Sequence, residues 1–182
     1  MRIVFLCKRH YMGKDVINDR YARLYELPRQ LALLGHEVLL LAAGYQGQSS
    51  GTWEHDAAPG RLLLHACNVR SVRGLLGYPG MVMREVHKFG ADLVIGASDI
   101  PQIVLAAHVA RSARLPLAVD LYDNFESFGQ ARIPGMVRAL RRATHGAAVV
   151  STTSEALAKY VRDAYQVTGT VIRIPSRVDT AV

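Results

Sequence analysis

The sequence predicts an α/β domain: a doubly wound, Rossmann-like, mostly parallel sheet of about seven strands with helices on both faces. Three observations carry that expectation. Short apolar runs alternate with longer segments of helical spacing along the whole chain, the pattern of right-handed βαβ units. The runs are apolar at consecutive positions, as in Leu117-Ala118-Val119, which suits strands covered on both faces. The stretch Pro116–Gly129 then turns abruptly acidic and aromatic, and ligands of open α/β sheets bind outside the carboxyl ends of the strands.

Arg2 to Cys7 reads as a central opening strand, and Lys8 to Lys14 as a basic loop with one glycine, Gly13. Asn18 or Asp19 caps a helix to about Leu34, with Tyr21, Leu24, Leu31 and Leu34 on or near one face. Pro28 cannot donate to the carbonyl of Leu24, so a kink or a restarted helix is predicted there. Gly35 suits a left-handed terminator, and Val38 to Ala42 forms the second strand. Gly44 to Gly60 is rich in glycine and serine, has no period, and reads as a loop with Trp53 pinning its middle.

Arg61 to Cys67 is the third strand. Gly74 to Pro79 breaks the chain and leaves a helix over about Gly80–Phe89, ending near Gly90. Leu93 to Gly96 is the fourth strand. Pro101 is a good first-turn residue for a helix carrying Ile103, Val104, Ala107 and Ala110. After the strand at Leu117–Val119 come a helix over Pro134–Thr144 and a strand at Ala147–Val150. A helix capped within Ser151–Glu155 runs to about Ala164, and a last strand spans Thr170–Ile174.

A chain of 182 residues is read as one domain, residues 1–182, and buries roughly 70% of its unfolded surface without a disulfide or metal. Cys7 and Cys67 lie in apolar runs without metal spacing and read as small buried hydrophobes in a reducing compartment. Only the run Ile3–Cys7 precedes Lys8-Arg9-His10, too short for the apolar core of a secretion signal. No stretch approaches the roughly 18 apolar residues of a membrane span. A cytoplasmic protein is expected. The net charge of +7, from 22 basic and 15 acidic residues, favours phosphorylated substrates, acidic headgroups or nucleic acid, or is simply a solvated surface. Basic–aromatic interleaving of the kind that stacks bases is absent, so no nucleic acid is expected.

The turn after the first strand reads C-K-R-H-Y-M-G, not the glycine fingerprint of a dinucleotide site. No phosphate-binding P-loop, serine nucleophile elbow or H-E-x-x-H pair occurs, and the seven histidines are scattered. No cofactor and no metal is therefore expected. The carboxylates Asp120, Asp123 and Glu126 must reach water, a basic partner or a ligand's hydroxyls, because burying one unpaired costs several kcal/mol. Asp120 either caps the next turn, pairs with Arg132, or meets ligand. Asn124 can both donate and accept, whereas Phe125 and Phe128 suit the core. Ser98 and Asp99 end the fourth strand. Arg138, Arg141 and Arg142 share a helix face, either solvated or set against acidic lipid headgroups.

Five segments in order, R-I-V-F-L with L-G-H-E-V, D-L-V-I-G-A-S-D, P-L-A-V-D-L-Y-D-N-F-E-S-F, V-V-S-T-T-S-E-A-L and V-I-R-I-P-S-R-V-D, carry a resemblance. The chain resembles the amino-terminal half of a GT-B-fold, family-four type, retaining glycosyltransferase. The resemblance implies an enzyme that moves a sugar from a nucleotide-sugar donor to a hydroxyl of a sugar, lipid-linked or small-molecule acceptor, without a bound metal. It implies that most donor contacts lie in a carboxyl-terminal domain outside this chain, which is then the acceptor-side half and inactive alone. Ile174–Asp179 resembles the passage into that domain.

Many relatives have paired glycines after the first strand; here Gly13 stands alone beside Lys8, Arg9 and Lys14, and these either approach a phosphate or form a solvated turn. Many also carry a histidine on the transferred sugar, and Tyr122, followed by Asp123, matches it. A phenol can hydrogen-bond a hydroxyl but cannot supply the same proton chemistry at neutral pH. The resemblance thus assigns catalytic positions to Tyr122 and Asp123. Substrate contacts fall to Lys8, Arg9, Gly13, Ser98, Asp99, Asn124 and Glu126, with Lys8–Lys14 and Tyr122–Glu126 as opposite walls of one crevice. The competing expectation is a non-catalytic module holding an anionic or sugar ligand on the same strand ends.

Overall fold

In the computed structural model, which describes residues 1–173, the chain runs through ten strands and five α-helices. The first half contains β1 (Arg2–Lys8), β2 (His10–Tyr11), β3 (Lys14–Asp15), α1 (Ala22–Leu33), β4 (Glu37–Gly44), β5 (Gly51–His55), β6 (Arg61–Asn68) and α2 (Val72–Phe89). The second contains β7 (Leu93–Gly96), α3 (Ile100–Ala113), β8 (Leu117–Leu121), α4 (Met136–His145), β9 (Val149–Thr152), α5 (Glu155–Tyr165) and β10 (Thr170–Val171), with 3-10 turns at Phe125–Ser127 and Gly129–Arg132. The expected last strand extends beyond the described residues, as does Ile174–Asp179.

Eight strands form one sheet in the order β10-β9-β8-β7-β1-β4-β6-β5, and β2 pairs with β3 in a separate ribbon. Every pairing in the large sheet is parallel except β5 with β6. From β1 the chain works outward through β4 and β6, then returns to β7 on the other side of β1, so the order reverses between β1 and β7. That switch point is where an open α/β sheet presents its ligand crevice. Successive side chains of β1 alternate between two cores. Ile3, Phe5 and Cys7 pack under α1 with Leu24, Tyr25 and Leu27. Val4 and Leu6 pack on the opposite face with Tyr78, Val82, Ile103, Leu140 and Val161, contributed by α2 to α5.

Five local expectations are corrected, each by tertiary context. α1 starts after Tyr21 with no side-chain cap; Asp19 accepts the N–H of Asp15 at 2.8 Å instead. The helix runs unbroken through Pro28, because burial of Leu24, Tyr25 and Leu27 outweighs one missing hydrogen bond. α2 likewise begins before its glycines: Ser71 Oγ accepts the N–H of Gly74 at 3.0 Å, and a side chain at Gly74 would sit 2.6 Å from the carbonyl of Asn68. This helix passes through Pro79 and buries Tyr78, Val82 and Val86. The expected loop at Gly44–Gly60 contains β5, whose Trp53 lies opposite Leu64; Glu54 takes a bidentate pair from Arg61 beside it.

The fifth correction concerns Asp120. β8 extends two residues further than expected and takes Asp120 into the sheet, where it is fully buried. Its partner is Arg23 from α1, not the exposed Arg132. The guanidinium donates Nε to Oδ2 at 2.9 Å and Nη2 to Oδ1 at 2.6 Å, and Ser151 Oγ donates to Oδ1 at 2.5 Å. Arg23 Nη1 also donates to the carbonyl of Ile172 at 2.6 Å. Removing one member of such a pair costs about 3–5 kcal/mol, whereas replacing both by apolar groups is often close to neutral. In urea denaturation, Arg23→Met should therefore lose about 3–5 kcal/mol, and Arg23→Met/Asp120→Leu should recover more than half of that loss. A single variant as stable as the parent would show that the pair does not hold the sheet halves together.

Candidate functional site

The β1–β7 switch point is organised around Ser98. The N–H of Lys8, the last residue of β1, donates to Ser98 Oγ at 2.8 Å, and the N–H of Ala97 donates to the carbonyl of Leu6 at 3.0 Å. These bonds hold the fully buried Ser98 at φ +79°, a left-handed backbone that costs a non-glycine residue about 1–3 kcal/mol. The Tyr122 hydroxyl donates to the carbonyl of Ser98 at 2.7 Å, so the ends of β1, β7 and β8 meet at one residue. Burial pushes the Tyr122 phenol far above its ordinary range. It is a neutral hydrogen-bond donor at any physiological pH.

Asp99 follows at the amino end of α3. Its Oδ1 accepts the N–H of Gln102 at 3.0 Å, while Oδ2 has no partner among the described residues although the residue is 1% exposed. Burial raises its carboxyl to about 6, against the pull of the nearby Lys8 ammonium. Gln102 is itself gripped on both sides. The Tyr78 hydroxyl donates to its Oε1 at 3.2 Å, and its Nε2 donates to the Tyr45 hydroxyl at 2.7 Å.

The two segments expected to face one another do meet, through aromatic rings. Tyr11 of the β2–β3 ribbon packs edge-on against Tyr122 with centroids 5.0 Å apart, and Lys8 Nζ lies 5.3 Å from the Tyr11 centroid. Burial and the neighbouring Asp123 charge both raise the Tyr11 phenol. Tyr122 packs in turn on the buried Phe125 at 5.0 Å. Asp123 is exposed on the rim, with Oδ1 taking the N–H of Asn124 at 2.7 Å.

Other candidates have engagements of their own. Arg9 is buried and donates to Asp15 at 2.8 Å and to the carbonyl of Ser49 at 2.5 Å; its guanidinium also lies 5.2 Å from the Trp53 ring. It thereby ties the ribbon to the segment before β5. Gly13 and Met12 form the ribbon's turn with positive φ at both positions, the geometry of a tight hairpin. Asn124 Oδ1 accepts the N–H of Glu126 at 3.1 Å and shapes the first 3-10 turn. Glu126 receives two bonds from Arg141, at 2.8 and 2.9 Å, and this pairing lowers its carboxyl below the ordinary range.

Tyr11, Tyr45, Tyr78, Gln102 and Arg23 were not among the candidates read from the sequence. Tyr11 lies within the Lys8–Lys14 wall but was not singled out there, and Tyr45 follows the Gly44 that opens the expected loop; the others carried no signal. Among the described residues, no group of His, Cys, Asp and Glu is arranged to hold a metal ion.

The family model described as "Glycosyl transferase 4-like domain" matches residues 22–175. Similar folds occur in the UDP-GlcNAc 2-epimerase of Methanocaldococcus jannaschii, with TM-score 0.57 and 10% identity over 90% of this chain and 42% of that one. HepE of Anabaena, solved with UDP and glucose, has TM-score 0.55 and 18% identity over 95% of this chain and 44% of that one. UGT89C1 of Arabidopsis thaliana, solved with UDP, has TM-score 0.52 and 10% identity over 98% of this chain and 50% of that one. At such identities the likeness is one of fold. The chain spans half or less of the length of these structures. No curated protein matches it in sequence.

The environment of Asp99 makes a pH prediction. Its folded pKa of about 6 lies above the roughly 3.9 of an unfolded aspartate. Its contribution to stability is therefore complete below about pH 4 and lost as pH rises through about 6. Asp99→Asn removes this titration. The stability of Asp99→Asn relative to the parent should rise between pH 4 and 7 by an amount on the order of 2 kcal/mol. A pH-independent difference in urea denaturation would count against the burial of a titrating carboxyl here.

Proposed function

The chain belongs to the glycosyl transferase 4-like domain family, and from that premise we propose that it is the acceptor-side half of a glycosyltransferase. In this reading the whole enzyme moves a sugar from a nucleotide-sugar donor to an acceptor hydroxyl, with retention and without a metal. The bond from the anomeric carbon to the donor phosphate breaks, a bond to the acceptor oxygen forms, and the acceptor's proton leaves with the nucleotide diphosphate. A second domain supplies most of the donor's diphosphate contacts. That two similar folds were solved with UDP supports a nucleotide-sugar donor.

The observation that carries the reading is the convergence of Lys8, Tyr11, Ser98, Asp99 and Tyr122 at the strand-order switch of a family member. Lys8 offers positive charge on the donor side. Asp99 lies buried beneath the others, with one carboxylate oxygen unpartnered among the described residues. Tyr122 offers a neutral phenol, and Asp123 an exposed carboxylate, where relatives carry a histidine. Asn124 shapes the turn that presents Asp123. Arg9, Gly13 and Glu126 act on substrate indirectly, by holding the ribbon and the acidic turn in place. The absence of the histidine favours one alternative, a non-catalytic module holding a sugar or anionic ligand in the same crevice.

The test is a titration of the chain with millimolar UDP-glucose and UDP-N-acetylglucosamine, read by amide chemical shifts, alongside a sugar-transfer assay. Shifts centred on Lys8, Ser98, Asp99, Tyr122 and Asp123 are expected, with no turnover by the chain alone. Shifts confined to other surfaces would remove the crevice assignment, and transfer by these 182 residues would overturn the half-enzyme reading.

A further inference from the structure

The amino-terminal half of α2 is apolar on the side that faces away from the core. Val72, Leu75 and Leu76 occupy i, i+3 and i+4 of one stripe and are 75%, 54% and 76% exposed. Pro79 and Gly80 continue the stripe and are also exposed. The inward face, Tyr78, Val82 and Val86, is separate and fully occupied. No aspartate or glutamate occurs between Ala57 and Arg84. Arg70 and Arg73 flank the stripe, both exposed and neither in an ion pair among the described residues. Beside it lies a cavity of about 380 Å³ whose walls include Ser50, Asn68, Ser71 and Arg73.

We propose that this stripe is a docking surface for a membrane carrying anionic lipid headgroups. Protruding leucines beside the exposed Arg70 and Arg73 match the layering of a bilayer surface: acyl chains take the apolar side chains, and headgroup phosphates meet the guanidinium groups. The helix lies on the surface rather than across it, because Arg73, Arg84, Glu85 and Lys88 interrupt it and no described helix is long and apolar enough to span. The arginine helix singled out from the sequence is a weaker surface. Arg141 is bonded to Glu126 and stands over Tyr165, so on the expected three-guanidinium face of α4 only Arg138 and Arg142 are without an ion pair among the described residues.

Position links this surface to the crevice. α2 starts just after β6, whose carboxyl end stands two strands from β1, about 10 Å along the sheet. A lipid-borne acceptor would thus be presented at the rim of the site. That last step rests on the transferase reading, whereas membrane binding does not.

Co-sedimentation of the chain with phosphatidylcholine vesicles, with and without 30 mol% phosphatidylglycerol, tests the surface without any sugar present. Binding to the mixed vesicles only is expected. Arg70→Gln/Arg73→Gln should weaken it by roughly thirtyfold, from two cations each worth about fivefold at an anionic surface. Leu75→Ser/Leu76→Ser should abolish it, with the thermal midpoint of each variant confirming an intact fold. Absence of binding, equal binding to neutral vesicles, or binding untouched by both variants would overturn the proposal. So would a concentration-dependent dimer that the Leu75→Ser/Leu76→Ser variant dissolves, since the stripe would then join copies of the chain.

Discussion

A carboxylate in the middle of a parallel sheet is the constraint on which the arrangement depends. Asp120 is fully buried on β8, where an unpaired charge would cost several kcal/mol. Arg23 reaches it from α1, ninety-seven positions earlier in the chain, and Ser151 reaches it from β9. One side chain thus couples the first βαβ unit to the second half of the sheet. The same guanidinium holds the carbonyl of Ile172, so the path of the chain after β10 is tied to the pair as well. Both ions have to be in place before either is tolerable in the interior, which makes the docking of α1 and the completion of the sheet mutually dependent.

The arrangement of the strand ends follows from that frame. With β1, β7 and β8 in register, their carboxyl ends converge on Ser98, whose strained backbone is held by bonds from Lys8 and Tyr122. Asp99 is buried in consequence of this turn, capping α3 with one oxygen and leaving the other unpaired. Polar groups around it are matched to one another, Gln102 by Tyr78 and Tyr45. The unmatched Asp99 oxygen stands out because its surroundings are otherwise satisfied, and buried polar atoms are rarely left without partners.

Elements whose apolar runs face a core on both sides were legible in the chain itself. Leu93–Gly96 begins and ends where the pattern places it, and the helix after Asp99 has the expected first-turn proline. The misread elements share a different cause. Pro28, Pro79 and the glycines of α2 argue locally against helix, yet packing of Leu24, Tyr25, Tyr78 and Val82 contributes more than the bonds and entropy these residues forfeit. β5 was hidden because an edge strand paired on one side can carry glycine and polar residues that a central strand does not tolerate. Of the candidate residues, Lys8, Ser98, Asp99 and Tyr122 are gathered at the strand ends. Arg9 and Glu126 bear the same kinds of charge but meet Asp15 and Arg141, partners that composition and spacing did not single out.

The sequence by itself determined the α/β class, the placement of the central strands, the family resemblance and the polar character of the strand ends. These follow from hydrophobic periodicity and from short motifs, both encoded in neighbouring residues. Only the tertiary structure decided which charges are paired and which remain available. Arg23 chose Asp120, Arg141 chose Glu126, and Lys8 and Asp99 were left without an ion-pair partner at the strand ends, among the described residues. An ion pair is a relation between segments distant along the chain, and at the few ångströms over which it acts, sheet order and register settle its partners.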